Sequence, residues 1–250
     1  MMDSKRPIVI HSAMSVEIEF MKDRLSDLVE IESGNFIFYE GKINGYPIVL
    51  SISGVGTIHT ASNMMYVIDK YKPLCVINLG IVGSYNKNIH KSDLIVGSKC
   101  LNVNSYRTSY LKEGMGSDYK SWEMITFKEG VDELVYWTCN EVLFTMFNEL
   151  SDKYTYGNCF SGIIGSGDAW NNEIDRLLFL NSRYGLSCSD MECVSVYMVC
   201  SNFNIPAISL KVVSDNIILE EEYDREVTKN IIDVLFLYID MIIKCKDLVK

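Results

Sequence analysis

The chain has few of the residues that bind metals or polyanions. Only three histidines occur among its 250 residues, His11, His59 and His90, and the eight cysteines form no CxxC pair. Zinc-ligand spacing is therefore lacking, and we expect no metal. Acidic residues outnumber basic ones, 33 to 23, for a formal net charge of −10. A field of that sign does not favour nucleic acid or an anionic membrane as a partner.

The sequence also lacks a hydrophobic run that is long enough to span a bilayer. The first residues, MMDSKRPIVIHSAM, become polar too early for a signal peptide. The apolar segment 231–245 is short and carries Asp233 and Asp240, so we interpret it as a core helix. The cysteines lie mostly in apolar runs, which is typical of buried reduced thiols. We expect a cytoplasmic protein.

Strand-like and helix-like segments alternate along the chain. Apolar runs near Val76, Ile95, Ile163 and Leu210 show no polar alternation, as expected for strands that helices cover on both faces. The pattern predicts one α/β domain over residues 1–250 with a mixed central sheet. It further predicts helices over 16–28, 54–71, 190–204 and 227–248, and a hairpin that turns at Asn44-Gly45.

Four predicted strand ends carry unusual residues: SGVG (53–56), NLGIVG (78–83), SGDAW (166–170) and VVSD (212–215). Each taken singly is an ordinary tight turn, and none matches a P-loop or a GxGxxG motif. Ligands of open α/β sheets bind at the carboxyl ends of strands, however, so four such ends together indicate a site. Asp190 and Glu192 add two carboxylates to an otherwise apolar segment, where burial is costly unless the charges are paired or used.

These motifs occur in the order SAMSVEIEFM, SGVGTIHTAS, INLGIVG, SGDAW, DMECVSVYMVCSNFNIP and LKVVSD. In this order and spacing, over residues 7–240, the chain resembles the purine nucleoside phosphorylase/nucleosidase superfamily, and within it the 5′-methylthioadenosine/S-adenosylhomocysteine nucleosidases. The resemblance implies a three-layer α/β/α fold and cleavage of the N-glycosidic bond of a purine nucleoside through an oxocarbenium-like sugar. It implies no cofactor, a homodimer (a hexamer is the alternative) and a place in methionine salvage.

The resemblance also implies roles for individual residues. Asp215 matches the acid that protonates N7 of the purine, and Ser214 supports it. Glu192 matches the carboxylate that binds the ribose hydroxyls, while Met191 packs beneath the sugar. Glu17 matches the general base for the attacking water.

The remaining predicted contacts concern the base and the rim of the site. Trp170 stands where relatives usually have a phenylalanine that stacks on the purine, and Asn171 would offer backbone groups to the base edge. Asp190 falls beside the sugar, although it equally fits the cap of a following helix. Asp168 has no catalytic role in this prediction. The other predicted contacts are Met14, Val55, Ile81 and Gly83.

Water is favoured over phosphate as the nucleophile. Hexameric phosphorylases of the superfamily begin the strand-end loop with an arginine, where this chain has Asn78. Its six arginines fall outside that loop, and the negative charge of Glu17 would repel phosphate. Two alternatives stay open at this stage, namely a phosphate-dependent phosphorylase and a non-catalytic nucleoside-binding protein on the same fold.

Three features depart from the family pattern or leave its details open. Residues 102–126 do not match the usual nucleosidase segment, which lines the 5′ side of the pocket, often across a dimer interface. Their large side chains are candidates for specificity, although they equally fit the packing of a surface loop: Tyr106, Arg107, Tyr110, Tyr119 and Trp122. Lys211 replaces a common arginine. The apolar segment 58–68 suits a dimer face, and it suits a buried helix equally well.

Overall fold

The computed structural model describes residues 5–127, 129–131 and 133–249. The strands are β1 Ile8–Ser12, β2 Ser26–Ser33, β3 Phe36–Ile43, β4 Tyr46–Ile52, β5 Cys75–Ser84, β6 Leu94–Asn102, β7 Tyr106–Arg107, β8 Glu123–Met124, β9 Trp137–Thr138, β10 Cys159–Ser166, β11 Leu186–Asp190 and β12 Ala207–Asn216. The helices are α1 Glu19–Lys22, α2 Thr57–Tyr71, α3 Glu141–Asn148, α4 Ile174–Tyr184, α5 Cys193–Asn202 and α6 Ile232–Lys244. Five 3-10 segments complete the elements: Ser15–Glu17, Tyr119–Ser121, Ser151–Lys153, Arg225–Ile231 and Lys246–Leu248.

Ten strands form one mixed sheet in the order β11-β10-β6-β12-β5-β1-β4-β3-β2, with β9 paired to β6. The central strands β4, β1, β5 and β12 run parallel to one another, whereas β6 runs antiparallel to β12. The last residues of β5 also pair with β11, so this half of the sheet closes on itself. The carboxyl ends of β1, β4, β5, β11 and β12 therefore meet around one space.

Helices cover both faces of the sheet, which confirms the predicted three-layer α/β/α class. On one face α3 and α6 pack over a core that contains Phe147 and Tyr238. On the other face α2 and α5 pack over a core that contains Val67 and Val196. No helix of the described ranges has both the length and the apolarity that a membrane crossing requires.

The predicted hairpin is confirmed between β3 and β4. Asn44 and Gly45 both have positive φ, 49° and 72°, which is the signature of a two-residue turn that matches the twist of the strands. The ladder continues directly from the turn with Ile43 opposite Tyr46. The predicted helices that begin after Gly56 and that end the chain are confirmed as α2 and α6.

Two predicted helices differ from the structure. The segment 16–28 forms only a 3-10 turn and the four-residue α1, and Ser26 already begins β2. Glu17 is turned inward at this turn: its carboxylate accepts hydrogen bonds from the Met14 amide and from the Ile81 amide of β5, which is distant in the sequence. In the segment 190–204, Asp190 ends β11 and the helix begins at Cys193, so the two carboxylates lie at a strand-to-helix junction.

Candidate active site

A cavity of about 190 Å³ opens where the strand ends meet. All twelve residues that we predicted for the site line it: Met14, Glu17, Val55, Ile81, Gly83, Trp170, Asn171, Asp190, Met191, Glu192, Ser214 and Asp215. They come from the ends of six strands, β1, β4, β5, β10, β11 and β12, that are far apart in the sequence. We call Glu17, Asp190, Glu192 and Lys211 the carboxylate cluster, and Trp170 with Tyr223 the aromatic rim.

Glu17 is held rigidly in the wall of the cavity. Its carboxylate accepts hydrogen bonds from the Ser12 hydroxyl at 2.6 Å, the Met14 amide at 2.9 Å and the Ile81 amide at 3.2 Å. The residue is only 3% exposed. Ile81 thus contributes its backbone as well as its side chain to the site. Three donors from two segments, residues 12–14 and β5, fix where this carboxylate points.

Lys211 is a buried cation at the centre of the cluster. Its Nζ lies 3.1 Å from Asp190 Oδ2 and 3.9 Å from Glu192 Oε2. Burial alone would lower the pKa of this ammonium, but Asp190, Glu192 and Glu17 outweigh burial and raise its pKa above the ordinary value. The lysine is therefore a permanent positive charge beneath the cavity.

The junction of β11 with α5 places Asp190 and Glu192 in the cluster. The Asp190 carboxylate accepts a hydrogen bond from the Cys193 amide at 3.1 Å and pairs with Lys211, so it caps the helix and belongs to the site. Its side chain is 1% exposed and that of Glu192 is 8% exposed. The two carboxylates are thus almost completely enclosed.

Glu192 combines burial with partial neutralisation. Burial raises the pKa of its carboxyl to about 7, against the opposing pull of Lys211. Its Oε1 also accepts a hydrogen bond from the Gly56 amide, at 3.0 Å, just before α2 begins. A group that titrates near neutrality in a cavity is typical of a functional site.

Gly80 provides the clearance on which the cluster depends. A Cβ at this position would lie 2.8 Å from Glu17 Oε1, closer than real Cβ atoms approach, and 3.0 Å from Lys211 Nζ. The glycine of the NLG motif therefore leaves room for the ends of both side chains beside the backbone of β5.

A β-bulge presents Asp215 to the cavity. The register between β12 and β5 shifts after Val213, so that Asp215 lies opposite Gly83 and Ser214 is the extra residue. The Ser214 hydroxyl lies 2.5 Å from Asp215 Oδ1. Burial raises the pKa of Asp215, and the hydrogen bond from Ser214 opposes this. Burial therefore favours a proton on this carboxyl more than water would.

The aromatic rim forms the open side. Trp170 is 69% exposed, and its ring contacts that of Tyr223 with the centroids 5.4 Å apart. The Asn171 Oδ1 atom accepts a hydrogen bond from the Glu173 amide, which turns this oxygen toward its own loop and leaves the backbone groups of Asn171 for a ligand. Tyr223, which lies eight residues after Asp215, was not predicted, because no motif in the sequence marks it.

Asn78 and residues 102–126 lie outside the wall of the cavity that a single chain forms. Asn78 is fully buried and binds His11 and Ser209, below the cavity, so it carries no information about phosphate. Within the described residues 102–126, none lines the cavity of its own chain. Instead Tyr106 stacks on Trp122, whose other contact is the guanidinium of Arg176 on α4.

Lys211 is the functional residue whose importance the sequence understated. We noted it only as a replacement for an arginine. A lysine in the middle of an apolar strand, LKVVSD, is itself a signal, because a buried ammonium requires carboxylate partners. The eight cysteines are free thiols, as predicted.

The fold and the cavity define an α/β protein with a cavity at its strand ends, between carboxylates and aromatic rings. A family model described as the phosphorylase superfamily matches residues 7–235, and the chain belongs to that superfamily. The predicted resemblance is thereby confirmed.

Among similar proteins of known name is the 5′-methylthioadenosine/S-adenosylhomocysteine nucleosidase of Staphylococcus haemolyticus, 26% identical over 83% of this chain and 86% of its own. A Helicobacter pylori nucleosidase of the same name, solved with butyl-thio-DADMe-Immucillin-A, has a TM-score of 0.78 at 22% identity and covers 95% of this chain and 99% of its own. The futalosine hydrolase of Helicobacter pylori has a TM-score of 0.77 at 23% identity, covering 96% and 99%.

Proposed function

We propose that this protein hydrolyses the N-glycosidic bond of 5′-methylthioadenosine, S-adenosylhomocysteine or both, releasing adenine and a 5′-substituted ribose. The observation that carries the proposal is the convergence of Glu17, Glu192 and Asp215 on one cavity. Departure of a purine requires an acid, a developing sugar cation requires a carboxylate, and water requires a base. Curated relatives with the nucleosidase name support the substrate class.

Asp215 is the acid in this mechanism. A protonated carboxyl at the end of β12 gives its proton to N7 of the purine, so that a neutral base leaves. The raised pKa of Asp215 favours the form that can donate this proton, and Ser214 orients it. Trp170 stacks on the base, and the backbone of Asn171 contacts its edge.

Glu192 and Glu17 act on the sugar. Ionised Glu192 accepts hydrogen bonds from the ribose hydroxyls, and its charge stabilises the cation that develops as the base leaves. Glu17 takes a proton from the water that attacks C1′. The three donors to Glu17 keep its carboxylate in place, so little reorganisation is needed when the reaction occurs.

The occupied anion-binding groups favour water over phosphate. The amides at the start of α2, which could hold an anion, already bind Glu192 and Asp168. Lys211 is neutralised by Asp190 and Glu192. None of the six arginines, all within the described part of the chain, lines the cavity. A phosphate placed here would meet Glu17 and Glu192 without a cation of its own.

The assembly belongs to this proposal as well. We infer a homodimer that forms through α2 and α5, because apolar side chains on this side are exposed: Val55, Ile58, Met65 and Met198. Helix α2 also buries Met64, Val67 and Ile68, so one face of the segment 58–68 packs into the hydrophobic core. We further propose that the protein works in the cytoplasm, in methionine salvage.

The test is release of free base from methylthioadenosine, adenosylhomocysteine, adenosine, inosine and futalosine, each with and without phosphate. We expect adenine from the first two substrates in phosphate-free buffer. Turnover that occurs only with phosphate would establish a phosphorylase. Tight binding without turnover of any substrate would establish a binding protein. Preference for futalosine would give the chain the substrate named for the futalosine hydrolase of Helicobacter pylori.

A further inference from the structure

Asp168, to which no role has been given so far, links two parts of the cavity wall. It lies in the loop 167–172 between β10 and α4, two residues before Trp170. Its carboxylate accepts a hydrogen bond from the Thr57 amide at 2.6 Å and another from the Thr57 hydroxyl at 2.5 Å. Thr57 is the first residue of α2. The loop that carries Trp170 is therefore fastened to the start of α2.

The turn before α2 is shaped to receive this carboxylate. Gly56 has φ +108°, which side-chain-bearing residues rarely adopt, and a Cβ there would lie 3.0 Å from Asp168 Oδ1. The same turn donates the Gly56 amide to Glu192, and the Thr57 carbonyl accepts a hydrogen bond from the Ser195 hydroxyl of α5. The two consecutive amides of Gly56 and Thr57 thus donate to Glu192 of the carboxylate cluster and to Asp168 of the loop that carries Trp170.

We propose that Asp168 is a positioning residue, which holds the Trp170–Asn171 loop in the conformation that binds the base. The proposal rests on the proposed function. Because Asp168 and Glu192 are fixed to adjacent residues, the base-binding loop keeps a set distance from the carboxylate that binds the sugar. Without Asp168 the loop must be ordered each time a nucleoside binds, which weakens binding more than it slows the bond cleavage that follows.

Asp168→Ala tests this by the division of the effect between KM and kcat. We expect KM to rise about tenfold and kcat to stay within about threefold, since charge-assisted hydrogen bonds to the loop are lost while the reacting groups remain. Asp168→Asn should restore KM to within about threefold, because an amide can accept from the Thr57 N–H and donate to its hydroxyl. The matched control is Asp118→Ala, which removes an equivalent carboxylate-to-amide bond, to Lys120, outside the cavity wall.

Thr57 gives an independent route if Asp168→Ala does not fold. Thr57→Val removes one of the two bonds and should raise KM severalfold, whereas Thr57→Ser should keep the wild-type KM. In the Asp168→Ala background, Thr57→Val should add nothing, because the two groups act as one pair. Equal KM values for Asp168→Ala and Asp118→Ala, or additive effects of the Asp168 and Thr57 changes, would overturn the proposal.

Binding of free adenine separates this proposal from the proposed function. Quenching of tryptophan fluorescence, with Trp170→Phe to identify the signal, reports the loop without any turnover. Weaker adenine binding by Asp168→Ala, restored in Asp168→Asn, supports the positioning role even if the wild type releases no base. Unchanged adenine affinity in Asp168→Ala would refute the role while base release by the wild type stood.

Discussion

The carboxylate cluster and the aromatic rim are two ends of one cavity, and they differ in burial and in how firmly their side chains are held. In the cluster, Glu17, Asp190, Glu192 and Lys211 are almost entirely buried, and hydrogen bonds and ion pairs fix each of them. In the rim, Trp170 is largely exposed and contacts Tyr223 through ring edges. Charges that must act on a transition state are thus fixed before the ligand arrives, whereas the rings that recognise its flat base remain open to it.

The difference indicates how each end of the cavity contributes to the reaction or to binding. A fixed charge in a water-poor wall is worth more than the same charge in water, and it needs no rearrangement during the reaction. A flat ring at the surface gives a smaller gain and accepts many partners. We therefore expect changes in the cluster to affect the rate and changes in the rim to affect affinity.

Glu17→Gln should give the largest effect. The amide keeps the size of the side chain but cannot take a proton from water, so kcat should fall by about 10²- to 10⁴-fold while the nucleoside still binds. Base release and ligand binding are measured on the same preparation. Glu19→Gln, an exposed neighbour on α1, is the control. Full activity of Glu17→Gln would show that the cluster is not the reacting end.

Lys211→Met should destabilise the protein. It leaves Asp190 and Glu192 enclosed without a cation, and breaking a buried pair in this way costs about 3–5 kcal/mol. Urea unfolding measures the change in the free energy of unfolding. The control is Lys229→Met, which removes an exposed lysine from the 3-10 segment Arg225–Ile231. Asp190→Asn added to Lys211→Met should recover part of the loss. An unchanged unfolding midpoint in Lys211→Met would show that Lys211 does not stabilise the buried carboxylates of the cluster.

Trp170→Ala should act at the other end, with a smaller effect. Loss of stacking on one base costs about 1–3 kcal/mol, which we expect to find in KM. Trp170→Phe should retain most of the affinity, and Trp122→Ala, away from the cavity wall, should leave KM unchanged. A loss confined to kcat in Trp170→Ala would mean that the rim, too, belongs to the reacting end.

The pH dependence of kcat/KM should give the smallest effect. Burial raises the pKa of Glu192 to about 7, so this carboxyl is neutral below that value and cannot stabilise a cation. The rate constant should therefore fall about tenfold for each pH unit below 7. In Glu192→Gln, the residual activity should lose this acidic limb. A wild-type kcat/KM that stays constant down to pH 5 would show that the negative charge of Glu192 is not needed for the reaction.

The sequence predicted those parts of the fold that local patterns determine. Asn44-Gly45 required its turn, and the apolar strands required helices on both faces. The helix over 16–28 was wrong, and Glu17 in that segment is held in part by Ile81 of β5, a contact that no local pattern contains. Motifs at strand ends identified the wall of the cavity. A lysine in an apolar strand already indicated carboxylate partners for Lys211, but which carboxylates they are follows only from the three-dimensional structure. The single-domain organisation of residues 1–250 and the roles of the site residues stay predictions.

Gly80 has a consequence for how this scaffold can change over evolutionary time. A side chain at that position would have to displace the ends of Glu17 and Lys211, so a substitution there acts on the carboxylate cluster itself. Trp170, by contrast, stands at the exposed aromatic rim, where a replacement needs no compensating change inside the wall. New substrate preferences can therefore arise on this chain by drift at the rim, while the chemistry beneath it is inherited unchanged.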